Sequence, residues 1–224
     1  MCFSATASFI ASGAIGTIGA ASLLEAPNGR ERAYASVPFI FAAQQAVEGV
    51  VWLTLGRTVL NDVLVKSYLV FAYAFWPAYI PWAVRMSETS PMRRRMMLPL
   101  VIAGWVIGTT GLVAVILSPT PVILSCSHLV YGVPMINPLY GLFYVGVGTL
   151  VCLLSSSRWI VTFGLALVAS CAVAFTVYTN AGPSVWCFFA AILSALVFMH
   201  VRSRRTASSK KKSRYTALMC IGPT

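Results

Sequence analysis

Seven stretches of this chain stay apolar for about twenty residues each, the length a helix needs to cross a bilayer. They run approximately over 4–24, 34–56, 63–84, 97–118, 136–155, 158–179 and 184–202. The runs are long and unbroken, whereas barrel strands alternate over about ten residues, so the spacing predicts helices. Composition agrees. The chain is 58% hydrophobic and 9% charged, against about 25% charged in soluble domains. The expectation is an all-α, polytopic transmembrane bundle of seven helices over residues 1–202. A basic, disordered tail is expected over 203–224. The opening lacks a basic region before its apolar part, so the first span is expected to stay as a membrane helix.

The basic residues give an orientation. Arg30 and Arg32 follow the first span, Arg85 and Arg93–Arg95 the third, and Arg158 the fifth. Arg202, Arg204, Arg205, Lys210–Lys212 and Arg214 follow the seventh. The alternate gaps hold only Arg57 and Lys66. By the positive-inside rule the C-terminus is cytoplasmic and the N-terminus outside. The net charge of +11 is thereby read as an orientation signal, and nucleic acid is not expected as a partner. The bilayer is the expected partner, in a plasma or inner membrane. Anionic lipid is expected at the tail.

Glu48 is the one acid in the middle of an apolar run, FIFAAQQAVEGVVWLTL. A carboxylate at membrane depth costs roughly 2.5–3.5 kcal/mol on insertion scales. Gln44, Glu48 and Trp52 are four residues apart and share a helix face, with Gln45 one turn before Glu48. Such a stripe is expected to face the bundle interior or a water-filled cavity. Glu48 would sit in the outer half of its helix as a ligand or proton site, or as a carboxyl that locks helices together.

Four residues join it on the outer side. Cys2 precedes the first span, Cys126 and His128 lie in the uncharged loop SPTPVILSCSHLVYGVP, and Cys187 opens the seventh span. Three cysteines on an oxidising face suggest a disulfide, with Cys126–Cys187 the natural pair. The same groups form an alternative thiolate–imidazole metal set of Cys2, His128 and Cys187, suited to zinc or copper. Unrelated thiols are the third reading. Cys152 and Cys171, inside spans, read as small buried hydrophobes.

In the third span, Pro77 and Pro81 free backbone carbonyls and bend the helix. Trp76, Tyr79 and Trp82 beside them either line a cavity or form an interfacial aromatic belt, and the nearby Arg85 favours the belt. Gly13, Gly16 and Gly19 in the first span, and Gly141, Gly146 and Gly148 in the fifth, read as close-packing positions. The strings Gly16-Thr17-Ile18 and Gly148-Thr149-Leu150 are a weak internal echo. His200 reads as an interfacial side chain. The seventh span has no Lys for a retinal Schiff base, no HxxxH pair is present, and no phosphate loop or dinucleotide fingerprint appears.

The opening string MCFSATASF resembles an uncharacterised family of polytopic, mostly bacterial integral membrane proteins that begin this way. Two further stretches are similar to that family: Gln45-Ala46-Val47-Glu48-Gly49-Val50-Val51-Trp52 and Ser184-Val185-Trp186-Cys187-Phe188-Phe189-Ala190-Ala191. The resemblance implies that Cys2, Glu48, Trp52, Trp186 and Cys187 belong to the family pattern. It implies no activity and no cofactor. The basic tail departs from it.

These readings converge on an outward-facing polar site of Glu48, Gln45, Gln44, Trp52, Cys2, His128 and Trp186. The site is expected to bind a small solute or a metal ion, for sensing or transport. A membrane-embedded enzyme using Glu48 or Cys2, and a structural or assembly subunit, are the alternatives.

Overall fold

The computed structural model describes residues 4–56, 58–125, 128–132, 138–177, 189 and 193–210. Among the described residues seven helical rods follow one another: α1 (Ala5–Glu25), α2 (Gly29–Leu53), α3 (Val59–Ser87), α4 (Pro91–Leu117), α5 (Pro138–Leu153), α6 (Arg158–Val177) and α7 (193–210). Between α4 and α5 lies an antiparallel hairpin of β1 (Val122–Ser125) and β2 (His128–Tyr131), with Val122 opposite Tyr131. The first four rods are long and apolar enough to cross a membrane.

Local chemistry sets the ends of the rods. Ser4 accepts from the Ala7 N–H at the start of α1. Asn28 accepts from the Arg30 and Glu31 N–H groups, so α2 begins at Gly29, earlier than the apolar run predicted. Ser90 caps α4 ahead of Pro91, which at the first helical position removes a donor that would have no partner anyway. Gly56, at φ 83°, takes the left-handed conformation that ends α2. At the far end α7 continues as helix to residue 210, so the first eight residues assigned to the tail are helical.

The prolines of α3 organise the centre of the bundle. Pro77 has no N–H for the Tyr73 carbonyl, and Pro81 has none for the Pro77 carbonyl. Just before them, Val70–Phe75 widens into a π-helical turn. The Tyr140 hydroxyl from α5 donates to the Tyr73 carbonyl at 2.5 Å. Against the same stretch α4 presents Gly104, Gly108 and Gly111. A Cβ on Gly108 would lie 2.5 Å from the Ala74 carbonyl oxygen, and one on Gly104 or Gly111 would collide with the Pro77 or Tyr73 carbonyl. This stripe is the closest helix approach on α4, and the sequence reading passed over it.

In α1, Gly19 faces the backbone of Phe39, where a Cβ would come within 2.5 Å of its nitrogen, and Gly16 meets Ala42. Gly13, Gly141 and Gly146 have no neighbour within 4 Å of an added Cβ among the described residues. The main core joins Tyr34, Val37, Trp76, Ile80, Val84, Met97, Val151, Phe163, Leu193 and Val197, drawn from six of the seven rods. A second cluster holds Val51, Val65, Tyr68, Leu69, Val115 and Leu129 beneath the hairpin. The outward faces of the rods are apolar too: Ile102, Trp105, Val106, Leu142 and Phe143 are all exposed.

Candidate functional site

Glu48 lies in the last two turns of α2, with no exposed surface. Its carboxylate accepts from Gln45 Nε2 at 2.9 Å and from the Tyr131 hydroxyl, on β2, at 3.4 Å. Gln44 is equally buried, and its Oε1 accepts from Trp76 Nε1 of α3 at 2.6 Å. Phe41 stacks on that indole with ring centroids 3.9 Å apart, and Tyr68 stacks on Tyr131 at 4.7 Å. The polar stripe therefore faces inward, between α3 and the hairpin. Trp76 is an interior residue of this site, which corrects the belt reading for it. Tyr79 and Trp82 beside it are half-buried.

Trp52 lies one turn beyond Glu48 on the same face. Its indole nitrogen is enclosed and has no acceptor among the described residues. A buried donor without a partner forfeits roughly 1–3 kcal/mol. Glu48 thus holds an amide donor and a phenol on its carboxylate, with the Trp52 indole one helical turn further on.

Cys2, Cys126, Trp186 and Cys187 lie outside the described residues, and of His128 only the backbone, in β2, is described. The proposed Cys126–Cys187 disulfide and the Cys2, His128, Cys187 metal set therefore fall outside as well. Among the described residues no three His, Cys, Asp or Glu side chains come together as metal ligands. Cys152 is a free, buried thiol and Cys171 a free, half-buried one.

A second polar cluster sits at the arginine-rich end of the bundle. Glu31 is 17 positions before Glu48 on α2, about 25 Å away at 1.5 Å per residue. His200 is fully buried, not interfacial as the sequence suggested. Its Nε2 lies 2.9 Å from Glu31 Oε2 and 3.0 Å from Ser87 Oγ, and its Nδ1 lies 2.8 Å from Ser157 Oγ. Ser87 Oγ donates to Glu31 Oε2 at 2.5 Å. Arg204 Nε reaches Glu31 Oε1 at 3.5 Å, and Arg205 pairs with Glu25 at 3.2 Å. Tyr34 packs edge-on against the imidazole.

Beside it, buried Glu88 accepts from the Thr89 and Ser90 N–H groups at 2.8 Å, from the Ser156 N–H at 2.7 Å and from the Ser156 hydroxyl at 2.8 Å. Burial pushes this carboxyl up, but these hydrogen bonds outweigh it and hold it below its ordinary value. Arg93 Nη1 donates to the Leu154 and Ser155 carbonyls, at the C-terminal end of α5.

Glu25, Glu31 and Glu88 all fall in the gaps between apolar runs of the sequence. Two of the three are buried. One signal was available: Asn28 followed by Glu31 has the spacing of a helix start with an acid in its first turn. It marks Glu31 as helical and not as part of a loop. No local signal connects Glu31 to His200, 169 positions away.

The fold and its clusters define a class: a bundle of apolar helices with a buried carboxylate site near each end of its second rod. Sequence comparison gives the family. The chain belongs to a family of unknown function, DUF6629, whose profile matches residues 1–213. Neither the curated proteins nor the solved structures offer a match.

Proposed function

We propose that this chain is an integral membrane protein whose Glu48 site binds a small solute arriving from the outer side, with Glu48 as ligand or proton acceptor. The exposed apolar faces of the rods support embedding, because such surfaces are stable in lipid and costly in water. The distribution of arginines supports an orientation with the Glu31 end cytoplasmic and the N-terminus outside. The single observation that carries the binding reading is the enclosed Trp52 N–H, one turn from Glu48, which has no acceptor among the described residues. A solute with an acceptor oxygen would supply the missing partner.

Sensing is favoured over transport by the buried face of α2. Between Gln44 and Glu31 it carries Ala42, Pro38, Val37 and Ala35, and the phenol of Tyr34, close to Glu31, is the single ionisable group on it. A solute or proton held at Glu48 has no polar route along that face to the opposite end.

The test is thermal unfolding of the protein in lipid nanodiscs with a panel of zinc, copper, amino acids, polyols and short carboxylates. A stabilising compound should lose its effect in Glu48→Gln and weaken in Trp52→Phe. If every stabilising compound acts equally on wild type and both variants, the site is a helix lock and the binding reading fails.

A further inference from the structure

The cluster at the arginine-rich end has the geometry of a nucleophile, a base and an orienting carboxylate. Proton counting fixes the roles. Ser87 has one hydroxyl hydrogen and donates it to Glu31 Oε2. Both groups facing His200 Nε2 are therefore acceptors, Ser87 Oγ at 3.0 Å and Glu31 Oε2 at 2.9 Å. Nε2 must carry the proton. In the neutral ring Nδ1 is then the bare nitrogen, and among the described residues the hydroxyl on it is that of Ser157, at 2.8 Å. This is the tautomer a general base needs, held by a carboxylate on the far side of the ring.

Access separates the two serines. Ser87 is buried, while Ser157 is half-buried beside exposed Ser156 and exposed Arg158. Ser157 also immediately precedes α6. The first intrahelical bond of α6 runs from the Val161 N–H to the Ser157 carbonyl. The N–H groups of Trp159 and Ile160 come before it and have no intrahelical acceptor. A nucleophilic hydroxyl followed by free helix-start amides is an arrangement that stabilises the oxyanion of acyl transfer. Arg158 beside it, 5.1 Å above the Trp159 ring, supplies a cation for an anionic substrate group.

We propose that Ser157, His200 and Glu31 form an esterase site for an acyl ester carrying a nearby anionic group. Ser157 Oγ attacks the ester carbonyl, forming the C–O bond as its proton passes to His200 Nδ1. The tetrahedral intermediate expels the alcohol, which takes that proton from Nδ1. Water then attacks the acyl-serine, giving its proton to His200, and the serine leaves with that proton as the carboxylic acid is released. Glu31 is a positioning residue that holds the ring and balances the imidazolium. That the ester belongs to a phospholipid rests on the membrane reading; the nucleophile assignment does not.

The test uses the full chain in nanodiscs with a fluorophosphonate probe, which loses fluoride as its phosphorus bonds to a nucleophilic serine. Mass spectrometry should find the adduct on Ser157, absent in Ser157→Ala. Glu31→Gln should slow labelling at least tenfold, and Gly13→Ala, on α1 and outside both clusters, should leave it unchanged. Thermal unfolding checks that each variant is folded. If Glu31→Gln is unfolded, Glu31→Asp replaces it: the shorter carboxylate should slow labelling while the adduct stays on Ser157. Hydrolysis of phosphatidylglycerol vesicles against p-nitrophenyl butyrate then separates a lipid ester from a soluble one. Absence of a Ser157 adduct on folded wild-type protein overturns the proposal, as does labelling that Glu31→Gln leaves unaffected with its fold intact.

Discussion

The Tyr140 hydroxyl donates to the Tyr73 carbonyl, the acceptor that Pro77 leaves without its helical donor. Three rods meet at that bond, because Gly111 of α4 lies against the same carbonyl. The proline that perturbs α3 thereby creates a polar anchor for α5. Tyr140→Phe should cost about 1–3 kcal/mol, the penalty for stranding a buried acceptor. Adding Pro77→Ala should recover part of that cost, since residue 77 regains a donor for Tyr73. A double-mutant cycle on unfolding in detergent measures the coupling. Strictly additive costs would mean that the two residues act separately.

The glycine stripe of α4 and the glycines elsewhere should behave differently. Gly108→Ala places a methyl group against the Ala74 carbonyl and should destabilise by about 1–3 kcal/mol through overpacking. Gly13→Ala meets open space. It should be neutral or stabilising by up to about 1 kcal/mol, since Ala is the better helix former. Unfolding midpoints of the two variants give the comparison.

Trp76→Phe removes the indole that satisfies Gln44 while keeping a ring against Phe41. It should cost roughly 1–3 kcal/mol, the price of an unsatisfied buried acceptor. Trp82→Phe should cost less, because Trp82 is half-buried. Equal losses in thermal unfolding would argue that Trp76 acts only through its bulk.

Glu88 gives a pH dependence with a definite sign. Its carboxyl is held below the ordinary value in the folded chain. Its contribution to stability is therefore complete above that ordinary value and is lost as pH falls through the lowered one. The unfolding midpoint of wild type minus that of Glu88→Gln should be positive at neutral pH and shrink on acidification. A difference that is flat from neutral to acid pH would remove Glu88 as a pH-dependent anchor.

Much of the fold was written in hydropathy. Apolar run length gave all seven rods, and Glu48 stood out because a carboxylate inside such a run must turn inward. What escaped the sequence depended on distant partners or on subtler local chemistry. Glu31 and His200 look like charged ends next to arginines until the chain folds and α7 comes back beside the start of α2. The Gly104, Gly108 and Gly111 stripe resembles ordinary apolar helix, and its meaning depends on the carbonyls that Pro77 and Pro81 free on another rod. The hairpin was hidden in an uncharged loop. Its Val122, Ile123 and Val130 have the β-branched character of strands. Four-residue strands are too short to announce themselves among so many aliphatic residues.

The most direct test of the central claim is modification of Glu48 by dicyclohexylcarbodiimide, an apolar reagent that reaches carboxyl groups from within a bilayer. Nanodisc protein would be treated with and without the compound that stabilises it best, and the peptide containing Glu48 followed by mass spectrometry. A functional carboxyl should be modified at Glu48, slowed at least several-fold by that compound, and the modification lost in Glu48→Gln. A Glu48 that stays unmodified in the folded protein, or reacts at the same rate with and without the compound, would contradict a binding site there.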